Sequence, residues 1–330
     1  MSPPVVGVIG GGAWGVALAA AAARSGAPTL LLSRRTRPDN GSLPAGVELA
    51  RDDSEVADRA RLLVLAVPSG VARDVARSLG SYLDGRHFVV HGVRGLVPRA
   101  HENRRDDDVE ELETVSDIVR DETPVRRVGA LGGPALASDL LAGRPSVMVC
   151  GSRYPEVNRA LRNVFSSSTL RLETTDDLLG LEWASALVGC LAIGVGFARG
   201  AGLGPGLLAA VITRAVEEAA RLAAAAGGNE RTLLGLAGYG DLLASIEQSE
   251  RPEVLVGEAL ASGKTLGQAL EEAKQRVEAV ELTARVVAWA EARGVRTPIL
   301  SAVAHSVLMG SASEALVREL MMTGPMSEHP

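Results

Sequence analysis

Short β-branched runs alternate with alanine- and leucine-rich stretches through the first half of the chain, and the alternation stops near residue 177. Residues 5–9 (VVGVI) make an apolar run of strand length. A glycine turn follows, then an alanine-rich helix over 16–25 closed by Gly26, then a second apolar run at 29–32 (TLLL). Further runs at 62–67, 87–91, 128–131 and 146–150 predict buried strands, and 71–83 has the spacing of an amphipathic helix. Parallel pairing of such strands requires right-handed crossovers. Strands alternating with helices over about 175 residues predict an α/β fold with a doubly wound, mostly parallel sheet. Residues 101–127 are dense in charge, and Leu112, Val115 and Val119 recur near helical spacing, which predicts a solvated surface helix. From Asp177 onward the text is helical, punctuated by glycine turns at 200–206 and 235–240. The expected division is residues 1–175, carrying the sheet, and 176–330, all helical.

Composition narrows what such a fold can do. With 46% hydrophobic and 22% charged residues the chain has the material for a packed core rather than disorder. Basic and acidic residues number 34 and 40, a net charge of -6, and aromatics are 3%, so neither charge nor stacking recruits nucleic acid. Cys150 and Cys190 lie in apolar text without ligand spacing and read as packed free thiols, with no metal site. The uncharged stretch 183–198 falls short of the ~20 residues that span a bilayer and reads as a buried core helix. The small-residue run at 16–23 lacks a basic flank and is not read as a signal peptide, so the expected location is the cytoplasm.

The chemistry begins at Gly10-Gly11-Gly12-Ala13-Trp14-Gly15, a GxGxxG turn placed between the first strand and the first helix. In that context Gly10 permits the turn, Gly12 lets backbone approach a pyrophosphate, and Gly15 allows helix to pack on sheet. The helix N-terminus supplies free N–H groups and a favourable dipole for the phosphates. Where the second strand usually ends in an acid for a ribose hydroxyl, this chain reads Ser33-Arg34-Arg35. A hydroxyl and two guanidinium groups suit a 2′-phosphate, so NADP(H) is favoured over NAD(H).

These residues resemble the NAD(P)-dependent glycerol-3-phosphate dehydrogenase family, through motifs that recur in order along nearly the whole chain. Gly10 to Gly15 is similar to its GxGAWG turn, Ala66-Val67-Pro68-Ser69 to its AVPS strand end, and Gly133-Pro134-Ala135-Leu136-Ala137 to its GPSFA segment. Asp177 to Cys190 lies ungapped on DxxGxExxxALKNV, residues 235–242 on GLAGxGDL, and Val277-Glu278 with Thr297-Pro298-Ile299 on the closing VEG and MPI segments. The resemblance implies an N-terminal Rossmann domain and a helical substrate domain. It also implies a homodimer, a phosphorylated small-molecule substrate, and reduction of dihydroxyacetone phosphate to sn-glycerol 3-phosphate. Cofactor contacts carried over are Gly10, Gly12, Ala13, Trp14, Gly15, Ser33, Arg34, Arg35, Pro68, Arg94, Ala137 and Glu278. Substrate contacts are Gly133, Ala135, Asp241 and Arg251.

Departures fall on the working residues. Val188 stands at the family's proton-donating lysine and Gly189 at the asparagine after it. The chain's lysines are Lys264 and Lys274, outside the family's lysine motifs. Arg94 replaces the second family lysine; it keeps the charge but cannot release a proton at neutral pH. Where an SRN anion anchor is expected the chain reads Ser249-Glu250-Arg251-Pro252, with Arg251 a substitute after a one-residue shift. Asp241 and Arg94 are the catalytic candidates. Glu182 is either a proton donor raised by burial or a satisfied buried carboxylate, and His91 either a proton donor or a histidine hydrogen-bonded at a strand end. Two functions follow: an NADP(H)-dependent oxidoreductase of this type on the family substrate or a related carbonyl, or a catalytically silent dinucleotide-binding sensor. A β-hydroxyacid dehydrogenase gains nothing, since it too expects a lysine.

Overall fold

The computed structural model describes residues 5–34, 43–99, 110–248, 251–274 and 276–309, with side chains described through 305. The chain divides into two compact units, Met1–Val97 with Glu113–Glu182, and Pro98–Leu112 with Trp183–Pro330. The division at 182/183 falls within the helix Leu178–Gly200.

The strands are β1 (Val6–Ile9), β2 (Thr29–Leu32), β3 (Val47–Leu49), β4 (Leu62–Leu65), β5 (Phe88–His91), β6 (Val97–Pro98), β7 (Leu112–Glu113), β8 (Val128–Gly132), β9 (Ser146–Gly151) and β10 (Leu170–Thr175). Eight form one sheet in the order β10-β9-β8-β5-β4-β1-β2-β3, and β6 pairs with β7 separately. Only the β8 to β9 pairing in the large sheet is antiparallel. The helices of this part are α1 (Ala13–Arg24), α2 (Asp53–Arg59), α3 (Ala72–Gly80), α4 (Val115–Glu122), α5 (Ala137–Ala142) and α6 (Pro155–Phe165).

The chain winds from β1 to β2 and β3 on one side and from β4 to β5 and β8 on the other. The turn of direction between β1 and β4 opens a crevice at their carboxyl ends, where ligands bind in sheets of this kind. Register places Ile9 beside Leu32 and Leu65, so the Gly10 turn, Ser33 and Ala66 emerge together. Gly10 N–H donates to Leu32 O and Ala66 N–H to Ile9 O, 2.9 and 2.8 Å. Beneath them α1 is buried from Gly15 to Ala22, packing with Val8, Leu31, Val64 and Val90. Alanines suit that place because their small side chains let helix and sheet approach.

The strands β3, β6, β7 and β10 and one helix depart from expectation. β3 and β10 are edge strands with mixed polar text, Val-Glu-Leu and alternating Leu-Arg-Leu-Glu, so no continuous apolar run marks them. The charge-dense segment holds a helix only over Val115–Glu122, among the described residues. That helix is not a solvated one: Val115, Ser116, Ile118 and Val119 are buried, and Thr114 and Asp117 form a capping box at its start.

The helical part comprises α7 (Leu178–Gly200), α8 (Pro205–Ala225), α9 (Glu230–Leu234), α10 (Asp241–Ile246), α11 (Pro252–Ala261), α12 (Leu266–Ala273), α13 (Ala279–Glu291) and α14 (Pro298–Met309). α7 begins in the first unit. Its 23 residues are by length and composition enough to cross a membrane, more than the 16 read from sequence, yet 94% of its most apolar window is buried within the fold. It is a core helix.

Candidate functional site

Each glycine of the turn has its own reason. Gly10 has φ of +128°, and a Cβ there would stand 2.1 Å from Ala66 O. Gly15 lies so close beneath that its Cβ would be 1.9 Å from Gly10 O. Gly12 is different: its φ of -75° suits any residue, and a Cβ there would meet no protein atom within 4 Å, projecting into open space. Gly11, which sequence reasoning passed over, faces Ser33, whose Oγ would be 2.0 Å from a Cβ. Gly12 is also the N-cap of α1 and gives it no side-chain cap, so the first helical N–H groups are left for another acceptor.

Over this turn lies a cavity of about 570 Å³. Gly10, Gly11 and Gly12 line one end. Leu32, Ser33 and Arg34 come from the end of β2, Pro68 and Val71 from the segment after β4, Arg51 and Asp53 from the β3 to α2 junction, and Asp74 and Ser78 from α3. The structure thus brings Gly10, Gly12, Ser33, Arg34 and Pro68 together; Arg35 lies outside the described residues. Ala13, Trp14, Gly15, Arg94 and Ala137 do not line this cavity. Arg51 was missed because it follows β3, a strand the hydrophobic pattern does not show.

A second polar cluster forms where β5 ends. His91 Nε2 is 2.8 Å from Glu182 Oε1, which also accepts the Ser116 backbone N–H at 2.9 Å. Val93 N–H donates to His91 Nδ1 at 3.3 Å, so the neutral ring carries its proton on Nε2 and gives it to the carboxylate. His91 and Glu182 are 3% and 4% exposed. Both are bonded inside the fold, as the structural reading of each expects. Beyond them Gly92 packs under Trp14, whose Nε1 would be 2.5 Å from a Cβ. Arg94 follows and donates from Nη2 to Gly133 O at 3.3 Å. Gly133 has φ of +89°, Ala135 is buried, and Ala137 opens α5.

In the helical unit Val188 is 1% exposed on α7. At Gly189 a Cβ would lie 2.9 Å from Ala279 Cβ and 3.6 Å from Glu253 Oε1, so α13 and a carboxylate occupy the space of a larger residue. Arg251, the N-cap of α11, is engaged by that carboxylate, Nε to Glu253 Oε2 at 2.6 Å. Glu253 is a second residue sequence reasoning missed. Asp241 opens α10 and is 1% exposed; Glu278 is the N-cap of α13. Burial pushes the thiols of Cys150 and Cys190 up to about 12, as packed side chains rather than nucleophiles. No metal-ligating cluster exists among the described residues.

A doubly wound sheet with a glycine turn at its switch point, followed by a helical body, defines the dinucleotide-dependent dehydrogenase class of fold. The comparisons are more specific. Residues 36–158 match the NAD-dependent glycerol-3-phosphate dehydrogenase N-terminus and residues 177–318 its C-terminus. The glycerol-3-phosphate dehydrogenase [NAD(P)+] of Desulfitobacterium hafniense is 30% identical, across 98% of this chain and 92% of that protein. The enzyme so named from Acidobacterium capsulatum is 32% identical, across 97% and 98%. The crystal structure of glycerol-3-phosphate dehydrogenase from Coxiella burnetii shares the fold with a TM-score of 0.86 at 24% identity, covering 98% of this chain and all of that one. The chain therefore belongs to the NAD-dependent glycerol-3-phosphate dehydrogenase family, a family of oxidoreductases that use a nicotinamide dinucleotide.

Proposed function

We propose that the chain is an NADP(H)-dependent oxidoreductase of the glycerol-3-phosphate dehydrogenase type, interconverting dihydroxyacetone phosphate and sn-glycerol 3-phosphate or a related carbonyl and alcohol. The cavity over the Gly10–Gly12 turn carries the reading. Space beside Gly12 and the uncapped start of α1 fit a pyrophosphate, and Ser33 with Arg34 at the end of β2 fits an adenosine 2′-phosphate better than a bare ribose. A bound dinucleotide supplies the hydride. Gly10, Gly12, Ser33, Arg34 and Pro68 of the cavity hold it, and the family resemblance supports Ala13, Trp14, Gly15, Arg35, Arg94, Ala137 and Glu278 as further contacts. Gly133, Ala135, Asp241 and Arg251 contact the substrate. Arg94 brings positive charge to a phosphate or carbonyl and Asp241 is the ionisable candidate for proton transfer. The resemblance also supports a homodimer, and the reading of residues 16–23 as no signal peptide supports the cytoplasm.

Val188 sets the expected rate. A positioned general acid contributes ~10²- to 10⁴-fold, so turnover of the family substrate should lie that far below a lysine-bearing relative. The test is NADPH oxidation with dihydroxyacetone phosphate alongside direct NADPH titration. A failure to bind NADPH overturns the reading. Binding with turnover at the buffer background favours the second reading, a catalytically silent dinucleotide-binding sensor. That reading draws on the aliphatic, buried Val188 and on Gly189, whose side-chain space Ala279 and Glu253 have taken.

A further inference from the structure

We propose that Arg51 is a specificity-determining residue of the cofactor cavity, a second guanidinium that with Arg34 selects a dinucleotide bearing an adenosine 2′-phosphate. The inference rests on the proposed use of that cavity. Arg34 and Arg51 line it from two different crossovers, one after β2 and one after β3. Because β2 pairs in parallel with β3, their carboxyl ends lie side by side, and both arginines leave the sheet at that edge.

Arg51 is held in place by the first turn of α2. Glu55 Oε2 accepts from its backbone N–H at 2.9 Å and from its Nε at 3.0 Å. Asp52, the N-cap, accepts in turn from Glu55 N–H at 2.9 Å. The backbone N–H of Arg51, and then the Arg51 and Arg59 guanidinium groups, hold the Glu55 carboxyl down at about 2, so the tether is ionised throughout the neutral range. Glu55 takes Nε, and the terminal nitrogens of the Arg51 fork are not spent on it, which leaves the edge of the guanidinium that binds phosphate oxygens in pairs. A side chain held this way loses less freedom on binding than an untethered one.

The cavity also contains carboxylates, and each has an opposing partner. Ser78 Oγ donates to Asp53, and Arg77 lies 3.7 Å from Asp74. Apolar Val71 and Val75 line the cavity as well, a surface that suits the adenine ring. Arg51 is 82% exposed at the rim, so its contribution is that of a solvent-screened charge-assisted bond, about tenfold in affinity.

Calorimetric titration of the full chain tests this with four ligands: NADPH, NADH, adenosine 2′,5′-bisphosphate and 5′-AMP. Arg51→Ala is expected to weaken NADPH and the bisphosphate about tenfold while changing NADH and 5′-AMP less than about twofold, and Arg51→Lys, which keeps charge but not the fork, falls between. Because Arg51 is exposed, the thermal midpoint of either variant should match that of the parent. If NADPH and NADH bind the parent and Arg51→Ala weakens both equally or neither, the inference is overturned and the cofactor reading stands. If the parent binds neither dinucleotide, the cofactor reading fails and takes this inference with it.

Discussion

Gly189 and Ala279 face each other across α7 and α13, and their sizes are exchanged relative to the family pattern. By the resemblance, the LKN motif would put asparagine at 189 and the VEG motif glycine at 279. Restoring asparagine at 189 alone would place its Cβ 2.9 Å from the Ala279 methyl, where carbon atoms pack favourably only at about 3.5 to 4.0 Å. The helices must separate by several tenths of an ångström, and the amide must fit beside Glu253 Oε1, 3.6 Å from the same point. Overpacking of this kind costs about 1 to 3 kcal/mol. Ala279→Gly alone removes a buried methyl worth about 0.8 kcal/mol and adds up to about 1 kcal/mol of helix propensity. In the double variant the methyl that clashes is gone, so the destabilisation should fall short of the sum of the singles by about 1 to 2 kcal/mol. Urea unfolding of the four proteins measures it, provided the slope with denaturant is shared. Additivity to within about 0.5 kcal/mol would refute the size exchange. The functional corollary is that Val188→Lys should raise turnover most in the Gly189→Asn, Ala279→Gly background.

Three further outcomes are expected. Gly12→Ala should leave stability within about 1 kcal/mol, since the new methyl meets no protein atom and the backbone is ordinary, yet abolish NADPH binding; unaltered affinity by calorimetry would remove the pyrophosphate from that turn. Glu182→Ala strips the acceptor from His91 and from the Ser116 N–H and should cost about 2 to 4 kcal/mol, with Glu182→Gln costing less; a loss below about 1 kcal/mol in chemical denaturation contradicts the pairing. Glu218 on α8 accepts from the N–H groups of Ile299 and Leu300, and burial raises its carboxyl from 4.5 to about 7, against the pull of those N–H groups and Arg221 and with a small push from Glu217. The native state then binds more protons than the unfolded chain between pH 4.5 and 7, so stability falls as pH rises through that window, by about 3 kcal/mol in all. Glu218→Gln should lack this component, and identical urea midpoints against pH for parent and variant would contradict it.

The sheet was legible in the sequence wherever strands are buried on both faces, because Val-Gly-Val-Ile and Leu-Leu-Val-Leu leave no polar positions to confuse the pattern. Edge strands β3 and β10 were not, since one face of each meets water and the text alternates or breaks. The glycine turn was legible because backbone geometry demands glycine at Gly10 whatever the surroundings. The pairing of His91 with Glu182 was not: the two lie 91 positions apart and only the fold brings them together. Glu253 escaped for the same reason, its significance being visible only once Gly189 is seen to face it.

The chain's three tryptophans are unequally shared. Trp14 packs against Gly92 in the sheet unit, whereas Trp183 and Trp289 stack in the helical one with ring centroids 4.7 Å apart and planes tilted by 49°. Two indoles at that distance couple their strong far-ultraviolet transitions and give a paired dichroism signal of opposite signs that a solitary ring cannot. The molecule thus carries two built-in optical reporters of different kinds, and the melting of its halves can be followed separately, without a label, in one cuvette.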